Sequence, residues 1–239
     1  MNVHMIFIHR NLFFLPSQKP ILYILHFFIL SILFFIFGNC FEYEENIYLK
    51  KGFTGYLEVN YTVPVNQRTG TSVLKFFPLN QEDIENKINK GIFGKTLKIR
   101  DYSMRFLEKE EISSNSYFQK KAKVSYKVDF TEISSLDGIL LGNLFVKRRG
   151  NSIFIKREFK SVMKPLDQES SAGEKKIRAE TLRLLGDGYV QFRIFFPQSS
   201  ECKSNLGEIN LGMLNYKFPL NETIEKAGNK IWDFSITNF

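Results

Sequence analysis

Residues 45–64 read ENIYLKKGFTGYLEVNYTVP. In the second half, Leu57, Val59, Tyr61 and Val63 alternate with Glu58, Asn60 and Thr62. Period two with one apolar face marks a half-buried strand, and Pro64, which has no amide to give a ladder, sits where that strand should end. Ile47–Leu49 is the partner strand, and Lys51-Gly52-Phe53-Thr54-Gly55 supplies a Gly-bearing turn between them. The two halves therefore make a hairpin. A chain that opens this way is building an antiparallel sheet, and each later segment either extends that sheet or covers it.

Most later segments extend it. Leu97–Phe106 changes phase between Ile99 and Tyr102, which predicts a bulge near Arg100-Asp101. Val124, Tyr126, Val128 and Phe130 share one side of the next strand, after a Ser- and Asn-rich turn over Ile112–Gln119. Leu144–Arg149 and Ile153–Phe159 flank Gly150-Asn151, a second hairpin. Tyr189–Phe196 points Val190, Phe192, Ile194 and Phe196 inward and stops at Pro197. Leu214, Tyr216 and Phe218, then Trp232, Phe234 and Ile236, mark the last two strands.

Helical signals are fewer. Asn80 caps a short helix with Glu82 and Asp83 at its positive end, Ile84 and Ile88 on one face and Gly91 as its stop. Ser171-Ala-Gly-Glu174 reads as a capping box opening an amphipathic helix through Ile177, Thr181, Leu184 and Leu185. A strand turning back through Asp187-Gly188 is the rival reading there. Thr131–Leu141 is a helical or irregular connector, and Lys164–Gly173 is the best linker. These elements predict an α+β domain: a curved, mostly antiparallel sheet of eight or so strands with two or three helices packed on one face. The many aromatics, 25 Phe among them, fall mainly at inward positions and read as core.

Ahead of the domain lies Ile21–Cys40, ILYILHFFILSILFFIFGNC, preceded by Arg10 and Lys19 and by no acidic residue. A positive start, an apolar middle and a small-residue end make a secretory signal. A cysteine just beyond it defines the lipoprotein form, in which cleavage frees Cys40 to accept a diacylglycerol. The expected plan is a signal peptide over 1–39 and one α+β lipoprotein domain over 40–239. The apolar run Ile21–Phe37 is 17 residues long, just under the roughly 18 of a spanning helix. An uncleaved anchor and an unlipidated secreted form are thus the alternatives. Two or more acyl chains hold a protein durably at a membrane.

Composition narrows the chemistry. Lys and Arg number 33 against 25 Asp and Glu, a net charge of +8. Loss of Arg10 and Lys19 with the signal leaves +6, a mild excess that suits anionic headgroups and makes no case for nucleic acid. All three histidines (His4, His9 and His26) precede Cys40, so the domain has no Ser-His or Cys-His nucleophile pair and no His-rich metal site. Cys202 is its one cysteine besides Cys40: either a buried free thiol or, in an oxidising compartment, a partner for Cys40. Gly91–Thr96 resembles a phosphate loop but lacks the first glycine, and Ser161–Lys164 fits a Ser-Lys nucleophile pattern without its companion motifs. No cofactor is expected. The clusters Glu42/Glu44/Glu45 and Glu108/Glu110/Glu111 read as solvated, which leaves a carboxylate-based hydrolase as a minor alternative.

One constellation points to a partner. Lys147, Arg148 and Arg149 flank the Gly150-Asn151 turn, and Lys156 and Arg157 lie on the returning strand. At a membrane surface each cation contributes about 1 kcal/mol of attraction to anionic headgroups. The competing reading is a solvated charged hairpin tip.

The chain also resembles a family of small bacterial lipoproteins with LppM-type mycobacterial and spirochaetal members. The likeness rests on the leading hairpin, on VSYKVDFTEISSL (Val124–Leu136), and on the ending YVQFRIFFP, SN, LNYKFPL. Tyr216 stands where that family has Trp, and Asn205-Leu206-Gly207 where it has Asn-Gly. Phe37-Gly38-Asn39 resembles a loose spirochaetal lipobox, with Phe37 for Leu and Asn39 for Gly or Ala. The resemblance implies a lipoprotein facing the periplasm or the cell surface, with an α/β binding-type domain for a lipid or glycolipid, and it supplies no catalytic residues. The expected function is that of a membrane-anchored protein of the bacterial envelope whose non-enzymatic domain binds a ligand such as a lipid, or a partner. A structural or host-facing surface protein without a pocket is the alternative.

Overall fold

The computed structural model describes residues 41–74, 76–89, 97–109, 112, 120–159, 171–173, 175, 176, 179, 188–220, 222 and 230–238. The Gly91–Thr96 and Ser161–Lys164 motifs, the Gly91 helix stop, Cys40 and the signal segment lie outside them, as do most of Ile112–Gln119 and of the linker.

The leading hairpin forms as its pattern requires. β1 (Glu42–Lys50) and β2 (Thr54–Pro64) pair antiparallel through a tight 3-10 turn at Lys51–Phe53, where Gly52 takes φ +83°. Gly55 is needed at the exit, because a Cβ there would overlap the Tyr48 carbonyl oxygen. Leu57, Val59, Tyr61 and Val63 are all buried. β3 (Lys98–Phe106) and β4 (Lys121–Phe130) extend the sheet on the β2 side. The predicted bulge is present: register shifts between Arg100 and Ser103, and Asp101 takes φ +54°.

On its other side β1 pairs in parallel with β7 (Tyr189–Phe195), followed by β10 (Met213–Pro219) and the short β9 (Glu208–Asn210). The resulting seven-stranded order is β3-β4-β2-β1-β7-β10-β9. A second sheet of four strands runs β5-β6-β11-β8, from β5 (Asn143–Arg149), β6 (Ser152–Phe159), β8 (Glu201–Ser204) and β11 (Lys230–Thr237).

The expected architecture needs correction here. The cover on the large sheet is not a set of two or three helices but mainly this second sheet, with one α-helix, α1 (Gln81–Asn89), among the complete described elements. Alternation identifies a strand without saying which sheet it joins. Residues 172, 173, 175, 176 and 179 are helical, and the rest of the predicted Ser171 helix lies outside the described residues. Thr131–Leu141 is a 3-10 turn at Ile133–Leu136 followed by irregular chain.

The inner face of the large sheet is covered in two halves. Over β7 and β10, Phe192 meets Phe159 at 5.1 Å and Trp232 at 5.6 Å between ring centroids, and Tyr216 meets Trp232 at 5.2 Å. Trp232 satisfies its indole N–H by donating to Ser204 Oγ at 2.9 Å. Over β1 and β2, Phe77 packs against Phe41, Tyr43 and Tyr61. The hydroxyls of Tyr61 and Tyr102 donate to the carbonyls of Pro78 and Leu79. Asn80 caps α1 reciprocally, accepting from the Asp83 amide at 2.8 Å and donating to the Asp83 carboxylate at 2.7 Å. Ile84 and Ile88 are buried beneath it.

Candidate functional site

The five hairpin cations do not act as one cluster, because neighbours along a strand point to opposite faces. On the inner face, Arg148 pairs across from Ile153 and its guanidinium lies 4.9 Å from the Phe53 ring centre. Arg157 is buried at 1 % exposure and cannot reach a headgroup. Its Nη1 lies 2.7 Å from Oε2 of Glu45, itself fully buried, so the expected solvation of Glu45 is also corrected.

This buried pair sits where the two covers meet. Glu45 Oε1 accepts from the Tyr43 hydroxyl at 2.5 Å and from the Leu141 amide at 2.7 Å. Arg157 Nη2 donates to the Leu141 carbonyl at 2.5 Å. The Oε2–Nη1 approach is off hydrogen-bond alignment, so Arg157 Nε and Nη1 find no acceptor among the described residues. The guanidinium lies 4.3 Å from the Phe192 ring centre and 5.1 Å from that of Phe159, giving a partial cation–π environment. Burial, and then the neighbouring Glu45 charge, push the Tyr43 hydroxyl well above its ordinary value.

On the outer face the alternation brings together Lys147, Arg149 and Lys156, and with them residues that the sequence reading passed over. In one row across the sheet, Lys147 pairs with Phe154, Phe154 with Ser235, and Ser235 with Lys203. In the next, Phe145 pairs with Lys156 and Lys156 with Asp233. The two phenylalanines are exposed, at 52 % for Phe145 and 42 % for Phe154. They line an open groove of about 590 Å3 with Lys147, Lys156, Lys203 and Asp233. Lys156 is engaged by Glu158 at 2.7 Å, which raises its pKa. Lys147, Arg149 and Lys203 make no ion pair among the described residues. The face is thus an apolar strip with unneutralised cations along it. Phe145 and Phe154 were findable, since both fall out of phase with Leu144, Ile153 and Ile155; Lys203 was not, because ECKS carries no strand alternation.

Elsewhere the sequence candidates are quiet. Cys202 is a free, half-buried thiol whose pKa burial pushes up to about 11, the direction that favours the protonated form. Among the described residues no group of three or more His, Cys, Asp or Glu could hold a metal ion, and no helix is long and apolar enough to cross a membrane. The inward carboxylate Glu45 faces a guanidinium rather than a second carboxyl group.

A family model described as LIC11874-like matches residues 35–239. That span takes in the leading hairpin, the Val124–Leu136 segment and the closing strands, and it bears out the family resemblance those residues carry. No curated protein matches the chain. Among solved structures, the folded domain of the Mycobacterium tuberculosis LppM protein is similar at 12 % identity, covering 84 % of this chain and 91 % of that one with a TM-score of 0.39.

Proposed function

The chain belongs to the LIC11874-like family, and on that premise we propose that it is an envelope lipoprotein without enzymatic activity. Cys40, acylated, tethers it to the membrane, and the outer face of the four-stranded sheet rests on anionic lipid or glycolipid headgroups. What supports the reading is the pairing of chemistries on that face. Two exposed phenylalanines suit the acyl boundary, and Lys147, Arg149 and Lys203 beside them suit phosphate or carboxylate headgroups. Lys156, held by Glu158, contributes less; Arg157 is buried against Glu45, and Arg148, though exposed, stands on the opposite side of β5, over the Phe53 ring.

Co-sedimentation with vesicles tests this in a chain starting at Phe41, which keeps every described element. Binding is expected to anionic vesicles, to weaken with salt, and to exceed binding to neutral phosphatidylcholine. Changing Lys147 and Lys203 together to Gln should remove about 2 kcal/mol, about thirtyfold in partitioning. Equal binding to both vesicle types, or no loss in the double variant, would refute the contact face.

A further inference from the structure

Cys40 is joined directly to Phe41, and Phe41 is already fixed in the fold. It is buried, its ring centre lies 5.1 Å from that of Phe77, and its carbonyl accepts from the Tyr189 amide at 3.2 Å. One peptide unit, about 3.8 Å between Cα atoms, therefore separates the acyl-bearing residue from the start of β1. No segment between them can act as a linker, so the lipid and this end of the large sheet lie together.

Other strands bring further residues to the same end. Glu42 pairs with Thr62, which sets Phe41 level with Val63. Beyond β2 the chain makes a small hairpin in which Val65 bridges to Ser72. Asn66 Oδ1 accepts there from the amides of Arg68 at 2.9 Å and Thr69 at 3.2 Å, and the Val73 amide donates to the Pro64 carbonyl at 3.0 Å. Arg68 is exposed at the turn and makes no ion pair among the described residues; Val73 is 41 % exposed. Next across the sheet, the Val65 amide donates to the Lys120 carbonyl at 2.9 Å, just before β4. β3 ends at Phe106, 42 % exposed, with Lys120 Nζ 4.2 Å from its ring centre. At a strand spacing of about 4.8 Å, β4 and β3 lie about 10 and 15 Å from β1.

We propose that this end of the seven-stranded sheet, through Arg68, Val73 and the Phe106–Lys120 pair, is a second membrane contact, seated in the interface of the bilayer that holds the Cys40 acyl chains. Val73 and the Phe106 ring suit the acyl boundary, and the cations beside them reach up to the headgroups. A tether of no length makes the contact intramolecular, so a weak attraction populates it. The seat depends on the acylation of Cys40 proposed above and not on the basic sheet face. That face reaches headgroups when the domain leans about this end toward the four-stranded sheet. The far end is held away: β1 runs nine residues to Lys50, about 30 Å. Leu211, 78 % exposed, belongs to that far end, because Met213 pairs with Phe195 and Phe195 with Tyr48. Exposure alone would favour Leu211 as the membrane contact; the position of Cys40 chooses the other end.

The test uses the full chain, purified in detergent, its acyl mass read, and reconstituted into vesicles of phosphatidylcholine and phosphatidylglycerol. In a Cys202→Ser background, nitroxides are placed singly through Val73→Cys, Phe106→Cys and Leu211→Cys. Their accessibility to oxygen and to a water-soluble nickel chelate is measured by power saturation. The oxygen-to-nickel ratio at 73 and 106 should exceed that at 211 by at least about threefold, as for side chains set into the headgroup and acyl boundary. Two labelled sites on separate elements keep the test open if one substitution unfolds the domain. Equal ratios at all three positions on acylated protein would overturn the seat and leave the tether standing. Low access of both probes at 73 and 106, as beneath a second protein copy, would also overturn it. A sample with no acyl mass on Cys40 would overturn tether and seat together.

Discussion

Arg157→Met is expected to lower the free energy of unfolding by about 3–5 kcal/mol, as breaking one side of a buried ion pair does. The substitution is close in volume and leaves the rings of Phe159 and Phe192 covered, so the loss comes from electrostatics rather than from a cavity. Glu45 would keep the Tyr43 and Leu141 donors but lose the guanidinium that faces Oε2, leaving a carboxylate in an apolar interior. The Leu141 carbonyl would lose its donor as well. Removing both charges should be far milder, because a buried pair replaced by apolar residues is often neutral in stability. Glu45→Leu with Arg157→Met is therefore expected to regain most of the loss. Urea denaturation of the chain from Phe41 measures both variants. A single-variant cost below about 1 kcal/mol, the level of a surface pair, would mean that the two covers do not close over this site.

Trp232→Ala should cost a similar 3–5 kcal/mol, the usual range for deleting a buried Trp or Phe side chain. Trp232 is fully buried and touches both sheets, with Tyr216 and Phe192 on one side and Phe234 at 4.7 Å on its own strand. Its loss would also strip the indole donor from Ser204 Oγ and the Leu206 carbonyl. At this chain length each kcal/mol moves the melting temperature by about 2–4 °C, so the midpoint should fall by about 6–20 °C. Trp232→Phe keeps much of the ring contact and should lose less than half as much. A melting temperature unchanged in Trp232→Ala would contradict the sandwich of β11 on β7 and β10.

These two residues also show what was legible in the sequence. Trp232 was readable: it alternates with Phe234 and Ile236, and all three are buried. The phases of β2, β4, β7 and β10 and the bulge at Arg100-Asp101 were equally plain, because period two is a local property. The buried pair was half readable. Glu45 shares the inward phase of Tyr43, Ile47 and Leu49, and Arg157 that of Ile153, Ile155 and Phe159. Reading Glu45 with its acidic neighbours, and Arg157 with the hairpin cations, set charge above phase and placed both in water. What no local pattern gives is that the two phases meet across different sheets, or that β5, β6, β8 and β11 pair among themselves. The same holds for Lys203 on a strand of four residues with mixed exposure.

The proposed membrane role depends on the tether, and the intact mass of the protein isolated from its own cell membranes addresses it directly. The expected species begins at Cys40 and carries the added mass of a diacylglycerol thioether on that residue. A species that retains residues upstream of Cys40, or one that begins there with no acyl mass, would contradict the lipoprotein account.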